Sequence, residues 1–117
     1  MPTVLYHKDV FAPASVFRSP GVTRVRYGHH AVAAAESDRY GNLSRHLRPY
    51  VDMDEAEIVE VEVTNGEISK RVIRVPVEDD LVLVLVINAD GFVKTVWGNR
   101  ASDTHKTLDR SKFIQHH

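Results

Sequence analysis

The sequence predicts an α+β fold: an N-terminal extended segment and one main helix packed on a four-stranded antiparallel meander. Three observations carry this expectation. One alanine-rich stretch, residues 29–40, has helical composition. Two hairpin dipeptides, Asn65-Gly66 and Asp90-Gly91, punctuate the second half. The segments flanking them are β-branched runs of strand length. At 117 residues with 43% hydrophobic content, the chain 1–117 reads as a single domain with one modest core.

In chain order, Pro13, Pro20 and Gly21 break residues 3–18 into short extended pieces with turns. Val22 to Tyr27 alternates as a strand that presents Arg24 and Arg26 along one side. His29 to Tyr40 then forms the helix, with Ala31, Ala34, Ala35 and Tyr40 as its buried stripe and Gly41 positioned to end it. Residues 42–56 are read as a loop or a second short helix ended by Pro49.

Ile58 to Val63 alternates with period two into Asn65-Gly66, whose two-residue turn sets a register. That register puts Thr64 opposite Glu67, Val63 opposite Ile68, Val61 opposite Lys70 and Glu60 opposite Arg71. Lys70 thereby falls on the apolar face, with its stem buried and its amine in water. Leu81 to Ile87 shows no alternation and belongs in the middle of a sheet covered on both sides. Asp90-Gly91 leads into the last strand, Phe92 to Trp97, and a polar segment, Asn99 to Lys112, closes the chain with room for a helical turn.

Composition narrows the function classes. Without cysteine there is no disulfide, no thiol nucleophile and no Cys-based metal site. The longest apolar run, Leu81 to Ile87, falls far short of the roughly 20 residues of a membrane-spanning helix. Met1 to Val10 lacks a secretory layout, so the expectation is a cytoplasmic protein that does not act at a membrane. Charge is segregated along the chain. Residues 1–50 hold seven Lys/Arg against three acids, residues 51–90 three against eleven, and residues 91–117 five against two. Two basic ends that met in space would form a face for a polyanion; if instead the segments intermix on folding, their charges cancel.

The candidate chemistry collects in three places. Lys94 to Ser111 supplies cations (Lys94, Arg100, Lys106, Arg110), hydroxyls (Thr95, Thr104, Thr107, Ser111), an amide (Asn99) and an imidazole (His105), the groups that bind a phosphodiester. His29-His30 sits where a basic strand enters the helix, whose first-turn N–H groups favour an anion. Arg39 with Arg45 and His46 forms the third group. Each also has a plain structural reading: Asp103 as an ordinary N-cap, the histidine pair as helix-start residues, Trp97 as core. No His-x-His or His-x-x-x-His spacing exists, so neither a metal nor any other cofactor is expected.

A histidine opening an alanine-rich helix (His30-Ala31, ending at Asp38-Arg39-Tyr40-Gly41) is followed by an antiparallel meander. Its last strand runs into Lys94-Thr95-Val96-Trp97, Asn99, Asp103-Thr104-His105, Thr107-Leu108-Asp109 and Ser111. This order resembles small phage and bacterial proteins and, through them, the ribonuclease toxin superfamily of barnase, RelE-type interferases and colicin tRNA nucleases. The resemblance spans about residues 24–113, with only the C-terminal stretch specific, and that superfamily has no universal active-site signature.

What it implies is metal-independent RNA cleavage, in which a ribose 2′-OH attacks the adjacent phosphate. His30 and His105 would then transfer protons, Lys94 and Arg110 would stabilise charge, and Thr107, Thr95 and Asn99 would position the phosphate or base. Arg26, Arg39, Lys106 and His29 would bind substrate, and a cognate inhibitor would be the natural partner. Two other readings stay open on the residues. One is a non-catalytic phage or mobile-element accessory protein that binds a host protein or nucleic acid. The other is an assembly component that pairs through an edge, either residues 3–10 or the strand after Asn65-Gly66. Oligomeric state is not determined by the sequence.

Overall fold

The computed structural model describes residues 2–10 and 13–102. In chain order its elements are β1 (Thr3–His7), a 3-10 turn (Ala14–Phe17), β2 (Val22–Arg24), β3 (Arg26–Tyr27), α1 (His29–Glu36), a second 3-10 turn (Ser44–His46), β4 (Tyr50–Asp52), β5 (Glu57–Thr64), β6 (Glu67–Glu78), β7 (Leu81–Asn88) and β8 (Phe92–Arg100). The main sheet has six strands in the order β1-β5-β6-β7-β8-β3, and β2 pairs with β4 in a separate two-stranded ribbon.

The expected four-stranded meander, β5 to β8, forms the antiparallel centre of this larger sheet. Two short strands extend it. β1 joins antiparallel to β5, pairing Thr3 with Thr64 and His7 with Glu60. β3 adds the one parallel pairing, Arg26 with Phe92 and Tyr27 with Val93. The expected strand Val22 to Tyr27 is thus split between two sheets at Val25, which is buried and donates its N–H to the Pro49 carbonyl at 2.8 Å. Residues 42–56 are not a second α-helix; they supply the second 3-10 turn and β4.

Asn65 and Gly66 turn the chain with φ of 55° and 81°, as a two-residue hairpin loop requires. The first two pairs follow the expected register, Thr64 with Glu67 and Val63 with Ile68. A bulge then shifts it, so Glu62 faces Lys70, Val61 faces Arg71 and Glu60 faces Val72. The expected pairs Val61 with Lys70 and Glu60 with Arg71 do not form. Lys70 instead lies 3.4 Å from the Glu62 carboxylate. Arg71 takes the apolar-side position, where burial lowers its pKa and its Nε has no hydrogen-bond partner.

The helix is shorter than expected, ending at Glu36 with Ser37 as its C-cap. Ala31 and Ala35 are fully buried and pack with Ile73, Leu83, Leu85, Ile87, Val93 and Val96, while Ala34 is only half-buried. Small side chains let the helix lie close along β8. Alternation puts Val72, Val82 and Val84 on the far face, all buried, which explains the unbroken apolar run of β7. The 3-10 turn Ala14–Phe17 lies against β5. No helix among the described residues is long and apolar enough to cross a membrane.

Candidate functional site

Three neighbouring strands end together at one edge of the fold. Pairing of Glu78 with Leu81 and of Leu81 with Arg100 aligns the last residue of β6, the first of β7 and the last of β8. Glu78 and Arg100 are therefore two strands apart, about 10 Å. At this end the second 3-10 turn delivers Arg45 and His46 to a single carboxylate oxygen. His46 Nε2 lies 2.9 Å from Glu78 Oε1, and an Arg45 guanidinium nitrogen donates to the same atom at 2.5 Å. These donors, Arg45 foremost, hold Glu78 below the usual carboxylate range. The ring orientation of His46 is fixed by this contact, and its side chain is only 11% exposed.

Beside this triad, the chain leaving β8 is anchored by the β6–β7 turn. Asp80, at a φ of 56°, accepts the Ser102 N–H at 3.2 Å through one carboxylate oxygen and Arg100 at 3.1 Å through the other. Its backbone carbonyl takes the Ala101 N–H. Its carboxyl is held below the ordinary aspartate value, chiefly by the Ser102 amide. Arg100 also lies 5.6 Å from the centroid of the Tyr40 ring, which Arg39 approaches to 4.8 Å. Two guanidiniums thus share one aromatic ring, and Arg39 has no carboxylate partner among the described residues.

A cleft of about 310 Å³ opens next to His46, between β4 and the helix-side face of β6 and β7. Val51, Val75, Leu83 and Leu85 form its apolar wall. Its polar rim holds Tyr27, His46, Arg48, Tyr50, Asp52 and Glu55. The Tyr27 hydroxyl donates to the Arg48 carbonyl at 2.8 Å, and burial raises its pKa above the ordinary phenol value. Tyr50 is 57% exposed.

The described residues among those singled out from the sequence are spread over both ends of β8. His29 and His30 open α1 and are exposed, close to the start of β8, where Gly28 N–H bonds the Val93 carbonyl. Arg26 is at that same end, paired with Asp90 at 2.9 Å and 5.3 Å from the Phe92 ring centroid. Val93 and Arg100 are seven residues apart on β8, about 23 Å. Lys94 is exposed at a bulge, and its charge reaches Glu62. Thr95, Trp97 and Asn99 project to the far face, opposite Val86, Val84 and Val82. Asn99 is buried, and its side-chain oxygen accepts the Arg100 N–H.

Arg39, of the third group, lies over the Tyr40 ring that Arg100 also approaches, while its companions Arg45 and His46 are bound to Glu78. His105, Lys106, Thr107 and Arg110 lie outside the described residues. Glu78 and Asp80 carried no local signal, because each acquires its side-chain partners from chain 20 or more residues away. Among the described residues no group of three His, Asp or Glu side chains is placed to hold a metal ion. Comparison with known proteins finds no matching family model, no matching curated protein and no matching solved structure.

Proposed function

We propose that this protein binds RNA and cleaves it without a metal ion, and that the reaction takes place at the sheet end formed by Glu78, Arg100 and the chain leaving β8. One observation carries this reading: an imidazole fixed by a carboxylate, His46 on Glu78, stands at the end of β6, and two strands across, at the end of β8, Arg100 shares the Tyr40 ring with Arg39. In this arrangement His46 takes the place that the sequence had given to His30.

With Nε2 committed to Glu78, Nδ1 is the ring nitrogen left to accept the 2′-OH proton. The freed oxygen attacks phosphorus and the P–O5′ bond breaks. A proton from a second group, His105, goes to the departing O5′. The products are a 2′,3′-cyclic phosphate and a 5′-hydroxyl. Arg39 and Arg100 are placed to offset the charge on the phosphorane oxygens.

The test is incubation of the purified protein with total RNA and tRNA in EDTA, with end-group analysis of the products. Cyclic-phosphate ends are expected, and His46→Ala and His105→Ala should each lose roughly 10²-fold in rate with unchanged folding, while His30→Ala stays active. RNA left intact by the wild type over hours, or cleavage abolished by EDTA, would overturn the reading. Salt-sensitive RNA binding without product, unaffected by His46→Ala, would favour a non-catalytic binder instead.

A further inference from the structure

We infer that the cleft beside His46 receives a single nucleobase that carries an exocyclic amine. The inference takes its ligand class from the RNA reading and goes beyond it in naming the subsite and the base edge recognised. At about 310 Å³ the cleft is at the small end of ligand sites, the right scale for one base and not for a folded partner. Its wall of Val51, Val75, Leu83 and Leu85 is aliphatic, with no polar group that a buried base would leave unpaired. Tyr50 lines the cleft and is largely exposed, offering an aromatic surface to a ligand. Stacking on such a ring is how single-stranded nucleic acid is commonly held.

The edge chemistry follows from the acids on the rim. Asp52 already accepts the Asp54 N–H through one oxygen, at 2.9 Å. Glu55 accepts no hydrogen bond among the described residues, so its carboxylate is available to a ligand donor. A carboxylate accepts from the N4 amine of cytosine and is repelled by the O4 carbonyl of uracil, so this rim discriminates between two bases of the same size. Arg48, exposed on the same rim, supplies a cation for the attached phosphate. His46 borders the cleft and the proposed reaction site at once, so a base seated here places its own ribose next to the imidazole.

The experiment is an NMR titration of the labelled protein with CMP and UMP, neither of which has a phosphodiester to cleave. CMP should bind about tenfold more tightly than UMP, with shifts centred on Tyr27, Val51 and Tyr50. Tyr50→Ala should weaken CMP about tenfold or more while Tyr50→Phe retains binding. Glu55→Gln should bring CMP close to the level of UMP. Equal binding of the two nucleotides, binding by neither, or shifts that map away from the cleft would each overturn the inference. Because no bond is broken in the titration, a failed cleavage assay leaves this result standing, and a failed titration leaves cleavage standing.

Discussion

Gly98 is closely covered by the chain that follows the helix. A Cβ there would meet an Asp38 carboxylate oxygen at 2.8 Å, the Tyr40 ring at 3.0 Å and Leu43 at 3.1 Å. Asp38 explains the crowding. Beyond Val93 the edge of β8 has lost its parallel neighbour, and the Asp38 carboxylate fills in by accepting the Gly98 N–H at 2.9 Å, while its other oxygen takes the Tyr40 N–H at 3.0 Å. This use of Asp38 is why the helix stops at Glu36 and does not run on to Tyr40 as its composition suggests. Gly98→Ala should therefore destabilise the fold by about 1–3 kcal/mol, the usual cost of overpacking, read as a lower urea midpoint with an unchanged slope. None of this was legible locally, since Asp38 and Gly98 are 60 positions apart. His46 was visible as a reactive type, but its carboxylate partner was not, for the same reason of sequence distance.

At the scale of elements, the β5–β6 hairpin shows where pattern reading holds and where it stops. The Asn65-Gly66 turn and the two pairs next to it were legible, because positive φ at both positions is a local demand. The bulge was not, because the extra residue, Ser69, is set by pairing across the two strands and no local turn demand marks it. Its effect is electrostatic as well as geometric. It puts Lys70 opposite Glu62, whose carboxylate also accepts the Ser69 hydroxyl at 2.7 Å, and these, with the Ser69 hydrogen bond foremost, hold the Glu62 carboxyl below its ordinary value. A carboxylate depressed in the folded state stabilises the fold above its unfolded pKa of about 4.3, and that contribution is lost as pH falls through the folded value. The wild type should accordingly lose melting temperature as pH drops from about 5 to about 3, and Glu62→Gln should show a shallower decline over that window. Equal acid sensitivity of the two proteins would show that Glu62 does not contribute.

For the whole molecule, the α+β class and the central antiparallel meander could be read from periodicity and turn chemistry. The two outer strands could not. β1 is five residues and β3 only two, and each is defined by a partner more than fifty positions away. The candidate site shares that limit. Its groups sit on the second 3-10 turn, the β6–β7 turn and the end of β8, and only strand order makes them neighbours. An assembly reading that uses the strand after Asn65-Gly66 as an open edge also meets the topology, because β6 is flanked by β5 and β7. Among the described residues β1 borders the sheet with one side unpaired.

The interior position of β7 has a consequence for the protein while it is being made. Leu81 to Ile87 is a water-averse ribbon on both surfaces, with the composition from which fibrils nucleate when a strand lacks a neighbour. Its safety depends on β8 emerging from the ribosome a few codons later. A chain cut short after Asp90 should accumulate as thioflavin-positive inclusion bodies, and recovery of that fragment as a soluble monomer would show that the meander protects itself without its last strand.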